Sequence, residues 1–132
     1  MAVLINSFVT QKTHMKNIAP GIMRQRLVIE GFYEIPVSRA TILRFFAGIT
    51  KALGLRTYGK PTIHATGGKG KAINQGFDAF VPLIDSGIAL YVWGNAKFFS
   101  TVIYTCKKFD ARRAVAFTRK FFKAKKTVHA SF

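Results

Sequence analysis

The sequence predicts an α+β fold, a two-layer sandwich in which a largely antiparallel sheet carries two helices on one face. Three observations point there. Short runs rich in β-formers recur along the chain, two segments of helical periodicity with their own cap residues interrupt them, and the order reads β-α-β-β-β-β-α with a candidate strand at the end. At 132 residues the chain has the length for one hydrophobic core and not for two. Residues 1–23 read as an irregular leader and 24–132 as the domain.

Each element rests on its own signal. "RQRLVIEGFY" (24–33) alternates and is rich in β-formers, which is a strand pattern. In "IPVSRATILRFFAGITKALG" (35–54), Ser38 is a natural N-cap and Gly54 a natural C′ stop. Ile42, Phe45, Phe46, Ile49 and Leu53 share one face between them. "KPTIHAT" (60–66) is a short second strand, and "GGKGKAINQG" (67–76) reads as a flexible Gly- and Lys-rich loop. Strands follow at Phe77–Ile84, Gly87–Trp93 and Phe98–Cys106, with a turn at Gly94-Asn95. Asp110 caps a last helix whose stripe is Ala114, Phe117 and Phe121, and "TVHASF" is the candidate terminal strand. Asp78 and Asp85 are seven residues apart, so an unbroken strand would set them on opposite faces, but Pro82 between them argues for a bulge or an edge.

Composition narrows the classes. Thirteen phenylalanines and an apolar content of 49% describe a globular chain, and no apolar run approaches the roughly 18 to 20 residues that span a bilayer. The N-terminus has no signal-peptide pattern, and the one cysteine, Cys106, fits a reducing compartment; a cytoplasmic location is expected. A formal net charge of +16 favours polyanions, and nine of the 21 Lys and Arg fall between Lys107 and Lys126. No helix-turn-helix, zinc-finger or RNP-type motif accompanies them, so the reading is a solvated basic helix face with weak polyanion association.

Local motifs assign little chemistry by themselves. "GGKGK" lacks P-loop spacing, and no GxSxG surrounds a serine. His14, His64 and His129 have no ligand-type neighbours at metal spacing, so no metal is expected. Cys106 precedes Lys107-Lys108, which favour a thiolate if the sulfur is accessible. With five carboxylates in the chain, the acid–serine step Asp85-Ser86 in "IDSGIALYVW" stands out.

The segment "NQGFDAFVPLIDSGIALYVWGNAKFFSTVIYTCKKFDARRAVAFTRKFF" (74–122) resembles the core of the bacterial and archaeal S-adenosylmethionine decarboxylases, which runs as PQGVSG, four apolar residues, ESHISIHTWPE, a strand ending FTCG and a capped helix. Gln75-Gly76, Ser86, Trp93 and Thr105-Cys106 fall on family positions, with Ser86 and Cys106 at the family's spacing. The resemblance implies a pyruvoyl-dependent decarboxylase of polyamine (spermidine) biosynthesis. In that family the serine hydroxyl attacks the carbonyl before it, and β-elimination from the resulting ester cleaves the chain and leaves a pyruvoyl group, the electron sink for loss of CO2. Carried over, the cleavage site is Asp85-Ser86, Ser86 becomes the covalent pyruvoyl cofactor and Cys106 donates the proton. Trp93 stacks on adenine, and Asn95 stands where the ribose-binding carboxylate belongs. The resemblance also implies a homodimer and a small amino-acid-type substrate.

The departures shape the alternatives. Gly87 and Tyr91 replace two histidines, the second of which assists processing, and a tyrosine of ordinary pKa about 10 is a poor base at neutral pH. Asp78 replaces an assisting serine and could act as the base; the upstream aromatic falls near Ala72. The family substrate is a cation, which a +16 chain approaches unfavourably. Two other readings therefore stand. One is the same chemistry on another amino acid such as ornithine or arginine. The other is an unprocessed member acting as a regulatory, ligand-binding or polyanion-binding protein.

Overall fold

Alternating apolar positions in six short segments build one sheet. A computed structural model describes residues 15–132; His14 and most of the expected leader lie outside the described residues. The strands are β1 (Gln25–Phe32), β2 (Thr62–Ala65), β3 (Gly76–Leu83), β4 (Ser86–Trp93), β5 (Phe98–Thr105) and β6 (Thr127–Ser131). Their order across the sheet is β2-β3-β4-β5-β1-β6, and every pairing is antiparallel. The helices are α1 (Arg39–Leu53) and α2 (Ala111–Phe122), with a 3-10 turn at Ala72–Asn74.

Both helices start where side chains satisfy the first orphan N–H groups. The Ser38 and Thr41 side chains form a reciprocal capping box on α1, and Asp110 Oδ1 accepts the Arg113 N–H at 3.1 Å on α2. Gly54 ends α1 in the left-handed conformation, at φ 67°. The expected stripe of α2 turns by about one residue: Ala114, Thr118 and Phe122 are its buried face, while Phe117 and Phe121 are half-buried. Gly48 of α1 makes this seam possible, since a Cβ there would lie 2.5 Å from the Phe117 ring.

The core fills the space between helices and sheet. Leu27 and Ile29 of β1, Ile88 and Leu90 of β4, and Phe99 and Ile103 of β5 are fully buried under Phe45, Phe46, Ile49 and Phe122. Phe99 and Phe122 stack with centroids 4.3 Å apart. Each such ring contributes about 1.5–3 kcal/mol by burial. Alternation sends the other residues of the same strands to a face with no helix on it, where Phe32, Phe80, Tyr91 and Tyr104 are 41–53% exposed.

Pro82 makes no bulge. It pairs in regular register with Gly87, and its carbonyl accepts the Tyr58 N–H, so its ring nitrogen faces the side that the four-residue β2 has already left. Asp78 and Asp85 do not share a strand, because β3 ends at Leu83 and Asp85 lies in the hairpin turn.

Candidate functional site

The two ends of β4 hold different parts of the expected site. At its start, Ile84 and Asp85 form a two-residue turn, and Asp85 takes φ 67°. Asp is one of the few side chains that tolerate this left-handed region. Ser86 follows, half-buried, opposite Thr105. Its Oγ donates to the Ile84 carbonyl at 3.2 Å. Cys106 stands just past the end of β5 and donates its backbone N–H to the Asp85 carbonyl at 2.8 Å. That carbonyl belongs to the Asp85–Ser86 peptide, so an N–H already polarises the bond on the N-terminal side of Ser86. The Cys106 side chain is exposed.

The other end of β4 is held by side-chain contacts around Trp93. Trp93 packs its ring against Phe98 at 5.3 Å and donates Nε1–H to Asn74 Oδ1 at 3.1 Å. A cavity of about 320 Å³ lies between Trp93, Tyr91 and Asp78 on one side and Lys69, Lys71 and Asn74 on the other. The Gly-rich loop walling it is not the flexible connection expected from composition. Gln75 pins it with four hydrogen bonds: Oε1 accepts from Thr66 Oγ1 and the Gly68 N–H, and Nε2 donates to the Lys69 and Lys71 carbonyls. Asn95 sits in the exposed turn and donates to the Ala72 carbonyl at 3.3 Å. Tyr33 approaches from β1, its hydroxyl donating to the Trp93 carbonyl at 3.0 Å; burial pushes its pKa up, which keeps it a donor.

Asp78 and Tyr91 are cross-strand partners on the uncovered face. The register continues the row in both directions, to His64 on one side and to Ser100 and Glu30 on the other. His64 thus faces Asp78 across β2 and β3, a neighbour that spacing along the sequence does not reveal. The row is far from Ser86. Tyr91 lies five strand positions on from Ser86, about 16 Å, and Trp93 seven, about 23 Å. Within one chain the structure brings Ser86, Asp85 and Cys106 together, and separately Asp78, Tyr91 and Trp93, while Asn95 stands outside that cavity in the turn against Ala72. It does not join the two sets. Among the described residues no cluster of three or more His, Cys, Asp or Glu could hold a metal, and no helix is long and apolar enough to cross a membrane.

An open-faced antiparallel sheet backed by two helices, with a serine at the tip of an internal hairpin and a cysteine bonded across it, defines a class of α+β sandwich with a built peptide turn. The family model for S-adenosylmethionine decarboxylase matches residues 34–132, and the chain belongs to that family. The solved adenosylmethionine decarboxylase from Aquifex aeolicus VF5 shares the fold, with a TM-score of 0.65 over 84% of this chain and 89% of that one. The two are 15% identical, so the likeness is one of fold. Comparison with curated proteins finds no match.

Proposed function

We propose that the chain is a pyruvoyl-dependent decarboxylase of S-adenosylmethionine that cleaves itself between Asp85 and Ser86. The observation that carries this reading is the Cys106 N–H on the Asp85 carbonyl. Attack by Ser86 Oγ on that carbon places negative charge on the oxygen, where the N–H is already aimed. The C–N bond to Ser86 then breaks, the acyl group moves to Oγ, and elimination from the ester separates the two fragments. Elimination leaves residue 86 as a dehydroalanine whose imine tautomer is hydrolysed by water with loss of ammonia, and the resulting pyruvoyl group would supply the electron sink for decarboxylation. Cys106, whose backbone N–H binds the Asp85 carbonyl and whose thiol is exposed, is in this reading the group that holds a proton beside it.

A base must take the Ser86 proton, and in one chain none of the candidates reaches it. The uncovered sheet face supports a homodimer as the answer. It exposes Phe32, Phe80, Tyr91 and Tyr104 together, an apolar surface of the kind that pairs. Two copies packed by this face about a two-fold axis through the middle of β4 would lay the Asp78–Tyr91 end of one over the hairpin turn of the other. Ser86 shares the parity of the buried Ile88, Leu90 and Val92, so the base reaches it around the Ile84-Asp85 turn and not straight across the sheet face. Asp78, flanked by Tyr91 and His64, is then the base, and the Trp93 cavity of one chain serves the Ser86 of its partner.

One observation favours a second reading, the unprocessed member: the Ser86 hydroxyl donates to the Ile84 carbonyl and not to a base. Mass spectrometry of the purified protein separates the two. The decarboxylase reading expects fragments 1–85 and 86–132, the second blocked at its N-terminus, and CO2 release from S-adenosylmethionine above that from ornithine or arginine. Ser86→Ala should leave one chain of 14.7 kDa. Cys106→Ser, which keeps the backbone N–H, should still cleave yet lose most turnover. A wild-type chain that stays intact for days would leave only the unprocessed reading.

A further inference from the structure

The helical side of the molecule has a composition that neither the sheet nor the decarboxylase reading uses. Neither helix contains an aspartate or glutamate, and α1 exposes Arg44 and Lys51 while α2 exposes Arg112, Arg119 and Lys120. The helices run antiparallel side by side: Gly48 meets Phe117, and Arg113 Nη1 reaches the Ala52 carbonyl at 3.5 Å. Their outward residues therefore form one surface. Among the described residues one ion pair forms, Lys125 Nζ to Glu34 Oε2 at 3.7 Å, and both side chains are exposed.

Lys51, Arg119 and Lys120 lie in the last turns of their helices, where the dipole favours a cation, but one charge is placed against it. Arg112 lies in the first turn of α2, where the helix dipole disfavours a cation, and no acidic residue occupies the first turn of either helix. Arg113 is compensated by the C-terminal carbonyl end of α1, but Arg112 is not; it borders a groove of about 270 Å³ between α2 and β6. Arg119, two turns along, and His129 line the same groove. Arg112 alone is kept where it opposes local helix stability. With the four other exposed cations it makes a basic surface that no acidic side chain of either helix neutralises, which indicates an external anionic partner.

We propose that this helix face docks a nucleic-acid duplex, DNA or RNA, through its phosphate backbone. Guanidinium groups match phosphate oxygens bidentately, and three of the five cations named on this face are arginines. The exposed residues of both helices include no aromatic ring, since Phe117 and Phe121 are half-buried in the seam; the face lacks the stacking platforms by which single strands are held. It also lacks an exposed apolar stripe for insertion into a bilayer, Leu43 being its one large exposed apolar side chain. Recognition would be independent of base sequence and steep in salt.

The test is fluorescence anisotropy of a labelled 20-base-pair duplex titrated with the full chain at several salt concentrations. Two variants of equal net charge are compared with wild type. One removes four cations from the helix face (Arg44→Gln, Lys51→Gln, Arg112→Gln, Lys120→Gln). The other removes four elsewhere (Lys16→Gln, Arg56→Gln, Lys60→Gln, Lys97→Gln). Circular dichroism establishes that each is folded. The helix-face variant is expected to lose about tenfold or more in affinity near 0.1 M salt with a shallower salt slope, and the other about threefold or less. Equal losses in the two variants would show attraction by net charge alone and overturn the proposal. So would tighter binding of a single strand of the same length, or binding to phosphatidylserine vesicles with none to the duplex. Self-cleavage is read separately by mass, so neither reading depends on the other.

Discussion

The two ends of β4 are built differently. At the Ser86 end the important contacts belong to the backbone: a left-handed Asp85, a carbonyl and the Cys106 N–H. At the Trp93 end they belong to side chains, with Gln75 gathering the loop and Tyr33, Asn74 and Phe98 fixing the indole and its carbonyl. Backbone geometry survives sequence drift better than a set of side chains does. The departures from the resembled pattern fall at both ends, Gly87 beside Ser86 and Ala72, Tyr91 and Asn95 toward Trp93, while the acid–serine turn keeps its place.

The largest expected effect comes from a glycine at each end. Gly76 pairs with Trp93, and a Cβ on it would fall inside the Val92 carbonyl, which cannot move without breaking the β3–β4 ladder. Gly76→Ala should cost more than about 4 kcal/mol or prevent folding. Gly87 pairs at the other end, where the intruded atoms are the Phe80 ring at 2.6 Å, half-exposed and able to swing away. Gly87→Ala should cost about 1–2 kcal/mol. Urea denaturation of both checks the difference; equal losses would show that the ends are equally constrained.

Next comes the staple. Gln75→Ala removes four hydrogen bonds, most of them exposed, and should cost about 1–2 kcal/mol overall. Hydrogen exchange at the Gly68 amide should accelerate far more than exchange at Cys106. Acceleration at both would mean the two ends open together.

The staple also marks the limit of what the sequence carries. Caps are local, so Ser38, Gly54 and Asp110 name the helix ends correctly, and strand boundaries fall within about two residues because alternation is local too. Gln75 acts through bonds to a loop wound by glycines at positive φ, and composition alone reads such a loop as loose. The His64–Asp78–Tyr91 row depends on strand register, which no spacing rule supplies. Motif spacing brought Ser86, Cys106, Asp78 and Tyr91 into one list; only three dimensions show that they form two groups.

Tyr33 gives a smaller effect with a pH signature. Its folded pKa lies above the ordinary value of 10, so above that pH the unfolded chain releases a proton that the folded chain still holds. Stability from this group is complete below pH 10 and declines as pH rises through the folded value. Tyr33→Phe should cost about 1 kcal/mol at neutral pH, through the lost bond to the Trp93 carbonyl, and should flatten the alkaline decline. Thermal unfolding between pH 8 and 11 measures both, and an unchanged decline would assign it to other groups.

The smallest effect returns to Asp85. A non-glycine residue at φ 67° stores about 1 kcal/mol of strain, and glycine relieves it while adding about 0.5–1 kcal/mol of chain entropy to the unfolded state. Asp85→Gly should therefore change stability by about 0.5 kcal/mol or less. The informative readout is cleavage. If the turn matters through its backbone, the glycine variant keeps the Asp85–Ser86 geometry and the Cys106 hydrogen bond, and it is expected to process within about threefold of wild type. A variant that folds equally well but no longer cleaves would assign the carboxylate itself a part in the chemistry, and the scarce acid would be explained by its charge and not by its tolerance of a left-handed turn.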